Sequence, residues 1–422
     1  MGKHAQSRRA LLLIMACLLL IAIGPTHAQN TRTGVSPCTI AAEPTALQRL
    51  DDGRNGSREQ IGLAVWSPNG EQIAVWISRT STLQAVSDPE NWLQIWDAAQ
   101  GVRIVELPFE RNAEPKDISW SADSSKLALA AGNHVHIWEG GQEWSPIVLE
   151  VDYYFHWFWQ VVWSPDGSQL FTVDTSNETL PPNWVPVYGN ILRRWDATTG
   201  ELLEESEVFE QVFVSALQAQ IIIVTRMPDG LLVRDYASGE VLFSLQDGYL
   251  EDASFTDGGQ WLASLMLEDG NKLRTVWDIS NQEALLSFSG NYYSMRLGPT
   301  GDFFQIMHDF SWESEVWEIR TGRHFEQSTI GSYQFERALW SPDGQCAIFR
   351  GVLPPGYSSH FGMAPDEVIA MWSAAEPERV RLLDGATTWF WGALGGGVAW
   401  SPDGMRFTSV DEQGVFKIWQ RE

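Results

Sequence analysis

The sequence predicts an all-β fold: a β-propeller of eight four-stranded blades, its ring closed by an N-terminal strand that completes the last blade. Three observations carry this expectation. A short apolar strand runs into a Ser-Pro-Asp-Gly turn at "VVWSPDGSQL", and nearly the same phrase returns at "LWSPDGQCAI" and "VAWSPDGMRF". A later strand ends in an aromatic residue followed by an acid, as in "LQIWD", "VHIWE", "LRRWD", "RTVWD" and "SEVWE". The whole pattern then recurs along 422 residues, which marks a repeat architecture.

Each unit reads in the same order. The last residue of the first strand falls at Trp66, Trp120, Trp163, Val214, Phe255, Leu297, Trp340 and Trp400, mostly about 41 to 54 residues apart. In the turn that follows, proline presets φ and glycine tolerates the closing conformation. Second strands such as "IAVWI", "LALAA" and "IIIVT" come next, and then the third strand with its aromatic-acid end. In unit four Arg234 stands where the aromatic residue belongs. A fourth strand follows a glycine turn, as in "GELLEES" and "GEVLFSL". Four short strands rich in β-branched and aromatic residues make one sheet. Such a sheet buries both faces only when packed radially against its neighbours. The eighth unit ends after its third strand, while "PTALQRLDDG", residues 44–53, reads as an outer strand without a blade. Thr45 to Leu50 are therefore expected to complete blade eight.

The "SPDG" turn followed about twenty residues later by "IWD" resembles the WD-repeat β-propeller family, over nearly the whole chain beyond its N-terminus. The resemblance implies a rigid interaction platform. One family feature is missing: no unit opens on the Gly-His dipeptide, so the His-centred buried network that the family implies is not expected here.

Residues 1–28 read as a signal peptide. Lys3, Arg8 and Arg9 precede the apolar run "ALLLIMACLLLIAI", and "THA" before Gln29 offers a cleavage site. The run is short for a membrane-spanning helix. The expected organisation is thus signal peptide 1–28, N-terminal arm 29–43 and propeller 44–422, in an extracytoplasmic (periplasmic or secreted) protein with no membrane span after cleavage. Cys38 and Cys346 then remain as candidates for a disulfide, which an oxidising compartment would permit. Net charge is −26, from 54 acidic and 28 basic residues, and this argues against nucleic acid as a partner.

Function is sought where the units differ. From the end of the first strand to the third-strand aromatic position takes roughly 18 to 22 residues in five units, but about 30 to 32 in units one, three and seven. The extensions are "SRTSTLQAVSDPEN", "DTSNETLPPNWVPVYGN" and "GVLPPGYSSHFGMAPDE", all between second and third strands. Links between blades carry "DYYFHWFWQ" and "TTWFWGALGGG". An up-and-down blade places both kinds of connection on one face. Tyr153, Tyr154, Trp157, Trp159, Trp184, Tyr188, Tyr357, Phe361, Trp389 and Trp391 are accordingly the expected binding residues, with packing between blades as the competing role of each.

Catalytic patterns are not recognisable. His134 and His136 alternate in "NHVHIW" without evident third and fourth metal ligands. "GALGGG" lacks the lysine of a phosphate loop, and no Gly-x-Ser-x-Gly element occurs. The acidic pairs Asp51-Asp52 and Asp366-Glu367 are read as turn charges, and Asn55 and Asn177 are glycosylation acceptors only in a host that uses them. The expectation is a non-enzymatic monomer, without cofactor, that scaffolds a protein or peptide. A glycan-binding propeller is the alternative. A quinone-cofactor dehydrogenase is a weaker one, since "RWDATTGELL" occurs once and no vicinal cysteines accompany it.

Overall fold

The computed structural model describes residues 38–422 except 42–43, 50–56, 82–89, 110–112, 141–145, 152–156, 181–184, 217–220, 228–229, 247, 257–258, 269–270, 291, 309–313, 328–333, 353–366, 384–396 and 411–414. The signal peptide and residues 29–37 of the arm lie outside the described residues. The described strands form eight four-stranded antiparallel sheets arranged in a ring, and there is no helix among the described residues. First strands of neighbouring blades touch, so they line the centre. Blade eight is composite: Ala399–Trp400, Arg406–Val410 and Val415–Gln420 are followed outward by Thr45–Arg49, which pairs antiparallel with Val415–Gln420 from Thr45↔Ile418 to Arg49↔Val415. The closing strand thus comes from the N-terminal side of the chain.

The recurrent turn explains itself atom by atom. In blade three, the Ser164 hydroxyl donates to Asp166 at 2.6 Å and accepts the Gln169 N–H at 2.9 Å. Asp166 in turn accepts the Ser168 N–H at 3.1 Å, and Gly167 takes φ 68°. The same bonds form at Ser121/Asp123, Ser341/Asp343 and Ser401/Asp403, and at Ser67 with Asn69 in place of the acid. The aromatic-acid acid closes the next turn: Asp196 accepts N–H groups of Thr198 and Thr199 at 2.9 and 2.8 Å, and Asp97 does the same for Ala99 and Gln100. Both signatures are therefore turn chemistry at one end of the ring.

The Ser164 hydroxyl and the Ser168 N–H hold the Asp166 carboxyl below its usual range. A lowered pKa stabilises the fold above the unfolded-state value near 4, and that contribution disappears as pH falls through the folded value. Asp166→Asn retains the acceptor oxygen, as Asn69 shows in blade one, but not the titration. In urea titrations at several pH values, the variant should be less stable than the parent by under about 1 kcal/mol at pH 7. The gap should close below pH 4. A gap that widens in acid would contradict this account of the turn.

Packing between blades repeats as well. The third-strand tryptophan faces the preceding blade. Trp138 of blade two packs with Ala74, Leu93 and Ile95 of blade one, Trp195 with Ala128 and Val135 of blade two, and Trp372 with Phe303 and Val316 of blade six. Burying such side chains is the main favourable term holding neighbouring sheets together. Hydrogen bonds pin the inner strands at all eight junctions. First-strand indoles donate to carbonyls of the blade before, from Trp66 to Ala399, Trp120 to Val65, Trp163 to Ser119 and Trp400 to Leu339, at 2.9–3.2 Å. The other four junctions use Gln160 with Val214, Gln211 with Leu250, Asp252 with Leu297 and Gln305 with Ala338. In blade five the register corrects the sequence reading: Ala253, paired with Leu262, occupies the position assigned to Phe255.

Candidate functional site

Because the strands alternate in direction, second-to-third connections and blade-to-blade links emerge at one end of the ring. The two turn signatures occupy the other end. Several of the expected binding residues, Tyr153, Tyr154, Trp184, Tyr357, Phe361, Trp389 and Trp391, fall outside the described residues. Tyr188 lies on a described strand, opposite Asn177. The remaining two are described in full, and they behave differently. Trp157, at the start of the inner strand Trp157–Trp163, is 63% exposed. Trp159 is half-buried against the core between blades three and four, and its indole donates to Asn190 at 3.0 Å. Trp159 wedges; Trp157 does not.

The extension in unit three is not a loop. Strands Gln169–Leu180 and Val185–Asp196 pair continuously from Gln169↔Asp196 to Leu180↔Val185. Among the described residues the inner strand pairs as far as Trp157↔Thr175. Beyond that point the described hairpin pairs only with itself, apart from Gly189 and Asn190 near its base. There Asn190 exchanges backbone bonds with Phe209 at 2.7 and 2.9 Å, and its side chain donates to the Glu210 carbonyl. A Cβ on Gly189 would lie 2.6 Å from the Phe209 carbonyl, so this close approach requires glycine. Unit one behaves similarly at its base, where Ser57–Trp66 and Gln72–Ser81 pair out to Ser57↔Ser81. The sequence reading took residues 78–91, 174–190 and 351–367 as loop, yet 78–81, 90–91, 174–180, 185–190, 351–352 and 367 are strand; the polar composition of 78–81 and 174–180 hid their part of it.

Charged residues on this end were missed altogether. Arg79 binds Glu59, approaches Glu90 at 4.0 Å, and lies 4.7 Å above the Trp92 ring. Arg193, 1% exposed, binds the fully buried Asp174 and donates to Glu205 at 2.8 Å. The available signal was strand alternation in "LRRWD": Arg193 shares the face of Trp195 toward blade two, and Arg194 faces blade four. The His134 and His136 rings do share one face, 6.2 Å apart, with His136 stacked on Trp138 and His134 3.7 Å from Glu150. No group of three or more potential metal ligands exists among the described residues. Asp117, half-buried on the inner strand of blade two, accepts the Val161 N–H at 2.9 Å, and burial pushes its pKa up to about 7. Its raised pKa has the opposite sign to that of Asp166: its contribution is greatest below pH 4 and is lost as pH rises through about 7.

Cys38 and Cys346 are disulfide-bonded, with Cα atoms 6.1 Å apart. The bond lies inside a core of Ile348, Ile369, Met371 and Trp419. It ties the segment before the closing strand to the second strand of blade seven, Cys346–Val352.

Among solved structures, the chain is similar to the C-terminal WD40 domain of Sif2 (TM-score 0.56, 13% identity, over 89% of this chain and 98% of that one). It is also similar to the Dos1 propeller (TM-score 0.53, 14% identity, over 86% and 92%). The fold is that of a WD-repeat β-propeller. The sequence matches no protein-family profile and no curated protein.

Proposed function

We propose that the protein is an exported, non-enzymatic scaffold that captures a protein or peptide on the end of the ring carrying the blade-three hairpin. The fold it shares with WD40 propellers supports the scaffold reading at the level of architecture. The observation that carries the choice of face is the hairpin with Trp157 at its base. A two-stranded ribbon without a third strand has little stability of its own. Among the described residues no third strand pairs with the hairpin beyond Thr175, so it stands out from the four-stranded scaffold. An indole left largely in water beside it supplies the kind of anchor that dominates interface energies. The excess of acidic over basic residues favours a basic or neutral partner. The signal-like N-terminus supports export, as does the Cys38–Cys346 bond, since disulfides persist in oxidising compartments.

Affinity capture from the native envelope or culture fluid tests the reading, with residues 29–422 as bait. Trp157→Ala should weaken capture by roughly tenfold or more while leaving the melting temperature nearly unchanged. A second bait replaces residues 176–189 by a tight turn. Undiminished capture by both variants would place the partner elsewhere. Capture of polysaccharide fragments in place of protein would favour the glycan-binding alternative.

A further inference from the structure

We infer that the outer half of the junction between blades three and four is a binding site for a small organic monocarboxylate with a flat apolar body. It runs from Asp235 and Gly239 at the turn-bearing end to Phe209 of the link between the two blades. At the third-strand position facing the preceding blade, seven blades carry an indole: Trp96, Trp138, Trp195, Trp277, Trp317, Trp372 and Trp419, paired with Ile73, Leu127, Leu170, Leu262, Phe304, Ala347 and Phe407. In blade four the same register position, opposite Ile223, holds Arg234. Where the ring elsewhere inserts an aromatic wedge, a cleft of about 220 Å³ is left open here.

The cleft has a wall and a charge. Leu192, Phe209 and Ile223 supply apolar surface. Arg194 donates to Glu204 at 3.0 Å, and the Tyr236 hydroxyl donates to the same carboxylate. Burial and Glu204 raise the Tyr236 pKa to about 12, which keeps that hydroxyl a donor. Asp235, at the foot of the cleft, is turned to its own turn and accepts from the N–H and hydroxyl of Ser238, both at 2.7 Å. Arg234 is half-buried, and its described partner is the Thr225 hydroxyl at 3.4 Å, with no carboxylate within 4 Å among the described residues. A guanidinium is costly to shield from water without a counter-charge. Two arginines and two carboxylates line the cleft; Glu204 answers Arg194 and Asp235 is held by Ser238, so Arg234 is the group that a monoanion would meet. The planar fork of arginine favours a carboxylate, and the apolar wall favours a ring in the slot that an indole fills elsewhere.

Benzoate is the probe, with benzylamine and inorganic phosphate as controls, read by calorimetry on residues 29–422. Benzoate should bind in the millimolar range or tighter, benzylamine should not bind, and phosphate should bind at least about tenfold more weakly. Arg234→Leu should weaken benzoate binding by about tenfold or more. Arg234→Trp, which restores the repeat, should abolish binding and raise the melting temperature in the absence of ligand. If Arg234→Trp does not fold, Arg234→Leu alone decides. Three results would overturn the proposal: no benzoate binding, phosphate binding as tight as benzoate, or benzoate affinity unchanged in Arg234→Leu.

Discussion

Deletion of residues 29–52 is expected to cost about 5 kcal/mol or more of stability and to make the protein self-associate. Two contributions are lost together. The first is the outer strand of blade eight, Thr45–Arg49, with its ladder to Val415–Gln420 and the packing of Leu47 against the core around Trp66 and Ile73. Its removal exposes a row of unpaired backbone groups, the kind of edge that recruits other chains. The second is the Cys38–Cys346 bond, which spans 308 residues. Closing so long a loop restricts the unfolded chain, and bonds of this kind contribute about 2–5 kcal/mol. Smaller contacts go with them, including the Ile40 bridge to Arg421 and the Glu422 N–H bond to Thr39 at 2.9 Å. Urea unfolding and light scattering read both effects. Cys38→Ser, which keeps the strand, should lose only the disulfide part and remain monomeric. A deletion variant that is monomeric and as stable as the parent would contradict closure by this strand.

Arg193→Met should be the most damaging single substitution in blade three. Arg193 and Asp174 are both buried, at 1% and 0% exposure, and only Glu205 on the arginine's other side reaches solvent. Removing the guanidinium leaves the Asp174 carboxylate without that counter-charge in a setting of low polarity. Breaking a buried pair from one side costs about 3–5 kcal/mol. The double variant Arg193→Met with Asp174→Leu removes both charges and should recover most of the loss. Equilibrium unfolding of the two variants separates these outcomes. A single variant within about 1 kcal/mol of the parent would show that the pair is not structural.

The blade count and the closing strand were legible because turn chemistry repeats in register. Ser164, Asp166 and Gly167 each perform a defined backbone task, and so the same letters return wherever the task does. Blade five was harder to place, since Ala253, like Val214 and Leu297, has neither the indole nor the serine turn of the other five units. The site was legible only in part. Trp157 is exposed and Trp159 half-buried although they are two positions apart: the strand register shifts between Phe158 and Gln160, and the Trp159 indole reaches Asn190 of the third strand. The Arg193–Asp174 pair was hidden because Asp174 was read as the start of a loop, whereas it lies on the second strand beside the third. The opposite holds for Arg234, whose departure from the repeat was visible in the letters, while its consequence needed the neighbouring blade.

The pairing of Thr45–Arg49 with Val415–Gln420 also sets the order of events at the ribosome and beyond. The segment synthesised early must wait for the last blade, so no shorter nascent chain can complete the ring. Until residue 420 is available, every intermediate carries an open sheet edge, although Cys38 can meet Cys346 once blade seven is made. Completion is therefore a late, long-range step, slow in the way of contacts with large sequence separation. A chaperone that shields the waiting strand would act on the yield of the protein without touching its stability.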